Sequence, residues 1–401
     1  MDAYSSFRLR DFRFLLTGAF LSNFGLQMLS VAVSWELYMK TRSALVLGNV
    51  GFVQVAPFVV FSLLAGHCAD RYDRRRVMVV TQCVSLAVSL VLLFWNHSVA
   101  LIYSCLFLNA VARTFQGPAR GAILAQIVPV EILGNAITWN SSAQEIANVS
   151  GPALAGVLLA TMGNSTVYAL QCGCALFTLI FFAGVRSRTP PKTETARLAR
   201  PAYDSALDGL RFVRDNKLIL SAVTLDLFAV LFGGATALLP IFAVDILHAG
   251  PAALGWLRAA PSVGAVMMAI SLAHLPRIRH AGPALIASVA GFGLATIAFG
   301  LSRNFWLSFL MLLLTGVFDN VSVVLRHSLL QTRTPDRLRG RVLAVNNIFI
   351  SCSNQLGAVE SGWTAAAFGA VASVWVGGLA TLAVVGLCAA LSPALRRWQQ
   401  S

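Results

Sequence analysis

The sequence predicts an all-α integral membrane protein in which twelve transmembrane helices form two pseudo-symmetric six-helix bundles. Three observations carry this. Of 401 residues, 57% are hydrophobic and only 11% charged, with a mean hydropathy of +0.74, whereas a soluble chain has about a quarter of its residues charged. Apolar runs of the roughly 20 residues that cross a bilayer recur from end to end. A stretch of the first half also returns in the second half at a constant spacing.

The apolar runs place spans near 12–38, 44–66, 77–96, 99–124, 133–161, 165–185, 218–246, 252–275, 282–302, 304–329, 342–368 and 370–391. No small-residue cleavage site follows the first, so it reads as a retained helix and not a signal peptide. Positive charge then orients the set. Arg8, Arg10 and Arg13 precede span one, Arg71, Arg74, Arg75 and Arg76 follow span two, and eight basic residues lie between Arg186 and Lys217. Arg277 and Arg279, then Arg333, Arg337, Arg339 and Arg341, then Arg396 and Arg397 fill later alternate gaps, while the intervening gaps hold little beyond Lys40, Arg42 and Arg303. Basic loops stay cytoplasmic, which puts both termini in the cytoplasm and makes the chain a multi-pass protein of the cell (inner) membrane. The net charge of +14 therefore reports topology, and no nucleic-acid partner is implied. The seven cysteines fit no metal site or disulfide framework, and no metal or cofactor is expected. His67, His97 and His248 read as loop residues.

The longest polar interruption, 186–217, opens on Pro190-Pro191 and ends in a stretch with Leu207, Leu210, Phe212 and Val213 that suits a surface helix. It divides the chain into an N-terminal bundle at 1–185, a linker at 186–217 and a C-terminal bundle at 218–401. The two bundles are related. Residues 120–156 align without gaps to 326–362 at an offset of 206, with eight of 37 positions identical. Pro129, Gly134, Asn148, Gly151 and Gly156 match Pro335, Gly340, Asn354, Gly357 and Gly362. Parallel repeats of six spans are an architecture of secondary transporters, with the substrate held between halves that rock.

The turn "GHCADRYDRRR", Gly66 to Arg76, resembles the signature between helices 2 and 3 of the major facilitator superfamily, Gly-x-x-x-Asp-Arg-x-Gly-Arg-Arg. Asp73 stands where that pattern has glycine, which leaves the turn less permissive. "RTFQG", with Arg113, Gln116 and Gly117, is similar to the helix 4 motif of drug/proton antiporters. "ANVSGPALAG" is similar to their helix 5 motif; it keeps Gly151, Pro152 and Gly156 and has Ala147 and Ala155 for two glycines. The local texture resembles bacterial exporters of the enterobactin-exporter and macrolide-efflux type. The resemblance covers nearly the whole chain. It implies that Gly66, Asp70, Arg71, Arg74 and Arg75 form a conformational gate, with Asp70 near the N-terminus of helix 11. It also implies that helices 1, 4, 7 and 10 surround the cavity.

Ionisable residues inside spans are costly and functional by default. Arg113, Glu145, Asp226, Asp319 and Glu360 lie inside predicted spans. At about 1.5 Å per residue, Arg113 and Asp319 sit roughly 20 Å from the outer starts of spans 4 and 10, Asp226 about 12 Å and Glu145 about 18 Å from their cytoplasmic starts. Arg113 and Asp319 are also separated by 206 residues, so opposite charges occupy equivalent places and are expected to pair across the cavity. Asn23, Gln27, Asn109, Asn320, Phe228, Phe232 and Phe318 are further cavity-lining candidates. Glu36 and Asp245, at outer ends, read as solvated.

No phosphate-binding loop or nucleophile elbow is present in the sequence. The chain reads as a transporter and not an enzyme, and protons suit its intramembrane carboxylates. The leading expectation is proton-coupled efflux (antiport) of an amphipathic molecule such as a drug or siderophore, by a monomer in the lipid bilayer. Import or flipping of a nutrient or lysolipid is the alternative, and a non-transporting receptor the third.

Overall fold

The computed structural model describes residues 4–95, 98–186, 202–276 and 278–399. Among these residues the chain is helical throughout, without strands. The first half holds α1 (Arg10–Thr41), α2 (Ala44–Arg71), α3 (Arg74–Trp95), α4 (Val99–Ile127), α5 (Val130–Thr161) and α6 (Asn164–Gly184). A surface helix, α7 (Ala202–Asp215), leads into α8 (Lys217–Phe232), the short α9 (Leu239–Ile241), α10 (Gly250–His274), α11 (Ala281–Leu301), α12 (Phe305–Arg333), α13 (Asp336–Phe368), α14 (Ala370–Leu391) and α15 (Pro393–Arg396).

Eleven of the segments are long and apolar enough to cross a membrane. The predicted span at 133–161 coincides with α5, whose 32 residues are long enough. Its inner half, "NAITWNSSAQE", lowers the hydropathy. The predicted span at 218–246 is a single run in sequence but a broken helix in space. After Phe232 come Gly233 and Gly234, a 3₁₀ turn (Ala235–Leu238), α9 and a π-turn (Phe242–Ile246). A Cβ on Gly234 would lie 2.9 Å from the backbone of Gly357, so the break follows from a close approach to α13 that only glycine allows.

The chain forms two compact units: residues 1–36 with 53–202, and residues 37–52 with 203–401. Each unit carries a foot ahead of its first membrane helix. In the first, the 3₁₀ turn Ser5–Arg8 is held by Ser6 Oγ donating to Asn135 Oδ1 at 2.6 Å, and Phe7 meets Trp139 edge-on at 4.9 Å. In the second, α7 is held by Asp208 to Arg341 at 2.9 Å, with Val213 buried beneath it. Asn135 and Arg341 are 206 residues apart. The two feet are therefore anchored at the same place in the repeat, with a neutral hydrogen bond in one and an ion pair in the other. Residues 187–201 of the linker lie outside the described residues.

Side-chain caps sharpen several ends. Ser98, Asn216 and Asn304 accept from backbone N–H groups in the first turns of α4, α8 and α12. Many connections are very short, among them residues 42–43, 72–73, 128–129, 162–163, 247–249, 302–304, 334–335 and 369. Arg42 and His248 take positive φ (49° each), as do Gly163, Gly250 and Gly369, the conformation needed to reverse the chain so abruptly.

Candidate functional site

In the second unit, α8 and α12 bring Asp226 and Arg326 into a buried ion pair, with only 8% and 1% of the two side chains exposed. The surroundings are apolar, with Leu225, Val321, Leu325, Leu329 and Leu330 in the same core. Asp319 lies seven residues before Arg326, two turns up the same helix face. It lines a small cavity with Asp226, Phe292, Phe318 and Ser322, and Asp226 and Arg326 are both within its electrostatic reach. Arg326 is paired with Asp226, and Asp319 stands nearby as a second carboxylate. Arg326 Nε, Ser322 Oγ and Asn320 Oδ1 are buried without a hydrogen-bond partner, which marks a polar site and not a finished structural network. Phe228 and Phe232 stack along α8, 6.1 Å between centroids.

In the first unit, Arg113 is the fifteenth residue of the 29-residue α4, yet its side chain is exposed. It lines a narrow polar cavity with Asn23, Gln82, Ser85, Asn109, Gln116 and Gln171. Ser85 donates to Asn109 Oδ1 (2.9 Å), Gln116 to Gln82 Oε1 (3.2 Å), and Gln82 to the Ala175 carbonyl (3.2 Å). Among the described residues no carboxylate lines this cavity. Glu145 and Gln27 belong to a separate chain, in which Gln27 Nε2 donates to Asn148 Oδ1 at 2.6 Å and Asn148 Nδ2 lies 3.4 Å from Glu145. This chain links α1 to α5 where Gly151 lets them touch. A Cβ on Gly151 would lie 2.8 Å from Gln27 Cβ and 3.0 Å from the Phe24 carbonyl. Pro152 and Gly156, the other residues of that motif, are buried, whereas a Cβ on Gly117 or Gly66 would meet nothing.

The turn between α2 and α3 is a brace. Arg74 donates to the carbonyls of Ala69 (3.3 Å) and Ala122 (3.4 Å), and Arg75 to that of Ala183. Arg71 is exposed at the end of α2. Asp73 accepts from the Arg75 N–H at 2.9 Å, so it caps α3, and its backbone has no positive φ that would call for glycine. The side chain of Asp70 lies outside the described residues.

Glu36 departs from the sequence reading. It is 5% exposed and accepts a hydrogen bond from Tyr168, because α6 covers this end of α1. Asp245, which is more open, accepts from Tyr38 and pairs with Arg42 at 3.1 Å. Glu360, half-buried on α13, lies 3.4 Å from the Ser361 hydroxyl. Sequence reasoning missed two cations. Arg258 sits inside α10, and Arg326, near the inner end of the predicted span at 304–329, was not counted among the charges inside spans. The repeat carried the signal for Arg326, since the first column of the alignment matches Arg120 to Arg326.

Comparison with known proteins agrees on one family. The profile of the major facilitator family described as transmembrane secretion effector matches residues 1–401. The enterobactin exporter EntS of Citrobacter koseri is 27% identical over 393 residues, covering 97% of this chain and 93% of that protein. That of Shigella boydii serotype 4 is 26% identical, covering 97% and 94%. Among solved structures, an inward-facing, occupied bacterial homologue of the human lysosomal transporter Spinster aligns over 100% of both chains, with TM-score 0.73 and 14% identity. A D-xylose–proton symporter aligns over 97% of this chain and 99% of its own, with TM-score 0.72 and 14% identity. These structural likenesses speak to the fold.

Proposed function

Since the chain belongs to the transmembrane secretion effector family of major facilitator transporters, we propose that it exports an amphipathic organic molecule of the siderophore type, driven by proton entry. The observation that carries the coupling is the cluster of Asp226, Arg326 and Asp319. A buried ion pair beside a second carboxylate has alternatives of similar energy, because one guanidinium can neutralise either acid while the other holds a proton. Proton binding then changes which carboxylate Arg326 holds. Both acids sit on helices of the transport cavity in the superfamily plan, so that exchange biases one conformation over another. The substrate class follows the relatives, which are named as enterobactin exporters. The stacked Phe228 and Phe232 supply an aromatic surface suited to such cargo.

The turn at Arg74 and Arg75 braces α2, α3 and α4 at what the charge pattern makes the cytoplasmic side, and Asp70 is the gate residue by resemblance. Arg113, Glu145, Asn23, Gln27, Asn109 and Asn320 complete the proposed polar cavity. The test is uptake of a catecholate siderophore into inverted membrane vesicles energised by respiration. Accumulation should occur with the parent, collapse with a protonophore, and be absent in Asp319→Asn at equal membrane abundance. Accumulation that survives the protonophore would overturn proton coupling.

A further inference from the structure

The cavity around Arg113 has a chemistry of its own, and the cluster described above does not account for it. Arg113 sits about 21 Å along α4 from its first residue at 1.5 Å per residue, where charge is expensive. Among the described residues no hydrogen bond or ion pair engages it. Two acceptors of the wall are already taken, since Asn109 Oδ1 receives the Ser85 hydroxyl and Gln82 Oε1 receives Gln116, while Gln171 Oε1 is buried without a hydrogen-bond partner. The five N–H donors of the guanidinium are thus unengaged, and among the described residues no carboxylate stands in the wall. Asn109 and Gln82 are themselves 6% and 2% exposed, so the donor set is held rigidly by its packing. The equivalent residue of the second half is Asp319, an acid.

We infer that this cavity is a recognition site for an anionic oxygen of the cargo, of carboxylate or phenolate type, bound by Arg113 with help from Asn109. The inference rests on the export reading and specifies one group of the exported molecule. Arg113 is then a cargo ligand and the proton is carried by the second half. A planar guanidinium grips a carboxylate with two parallel hydrogen bonds, and an ammonium at the same place keeps the charge but loses the fork. A neutral amide on the same ring cannot use the charge.

The test uses the purified full-length chain in detergent at low salt, with 2-naphthoate and 2-naphthamide as the probes, each measured by equilibrium dialysis. The acid should bind about tenfold or more tighter than the amide, the range of a charge-assisted hydrogen bond. That preference should vanish in Arg113→Gln and persist in part in Arg113→Lys, which also serves if the glutamine variant does not fold. Equal binding of acid and amide by the parent overturns the inference, as does an undiminished preference in Arg113→Gln. Protonophore-sensitive export, measured separately in vesicles, keeps the two readings apart. Export without acid preference removes this site alone, and acid preference without export of any cargo removes the transport reading while the site stands.

Discussion

Two places related by the repeat have taken opposite chemistry. Around α4, Arg113 and Arg120 stand on the same helix with no acid among the cavity walls. Around α12, their equivalents are Asp319 and Arg326, and Arg326 is locked to Asp226. The helix that supplies Asp226 explains the difference. Aromatic pairs stack at Phe20–Phe24 and at Phe228–Phe232, which sets a register of 208 for the first helices of the two halves and places Gly18 opposite Asp226. A Cβ on Gly18 would lie 2.6 Å from the Phe182 ring. The first half therefore has no room for a carboxylate there, and its arginines remain available. A duplicated scaffold has kept its backbone while its charges diverged: one half holds arginines with no acid beside them among the described residues, and the other holds an arginine paired with one acid and near a second.

The largest expected effect attacks the locked pair. Asp226→Asn should strand Arg326 in an apolar core and cost about 3–5 kcal/mol, seen as a sharp loss of folded protein in a detergent thermal-unfolding series. Adding Arg326→Gln should restore much of that stability while proton-driven accumulation stays lost. If Arg120→Gln in the first half were as damaging as Arg326→Gln, the contrast between the halves would be wrong; we expect it to cost less than about 1 kcal/mol, because the half-buried Arg120 leaves no paired acid behind.

Next comes packing. Gly151→Ala should cost about 1–3 kcal/mol by forcing α5 from α1, whereas Gly117→Ala, with open space at its Cβ, should leave unfolding unchanged. Equal effects would mean that the helix 5 motif has no packing role. The smallest effect compares the feet. Asp208→Asn should cost no more than about 1 kcal/mol, because the Arg341 pair is partly exposed, and its loss should shrink as salt is raised. Ser6→Ala, which removes a neutral hydrogen bond, should show no such salt dependence.

The membrane made the fold legible. A bilayer of fixed thickness imposes a length on every span, and arginine spacing dates each crossing. Helix ends were less visible, because the backbone ladder continues past the hydrocarbon. Thus α13 starts at Asp336, where Asp336 and Arg339 pair at 2.5 Å, although apolar character begins only at Val342. The break after Phe232 was written as Gly233-Gly234, but an apolar run hides it. At the site, single charges were easy to find and partners were not. Arg326 went uncounted near a span end, and Glu36 looked like a solvated end, because what covers them comes from helices remote in sequence. Asp73 looked like a flaw in the signature and proves to be a helix cap.

The short turns at residues 42–43, 72–73, 128–129, 162–163, 302–304, 334–335 and 369 bear on what a tool can reach. Turns of one to three residues offer an antibody or a protease scarcely any epitope. Reporter tags therefore belong in engineered insertions at Gly163 or Gly369, where the positive φ already marks a point at which the chain changes direction.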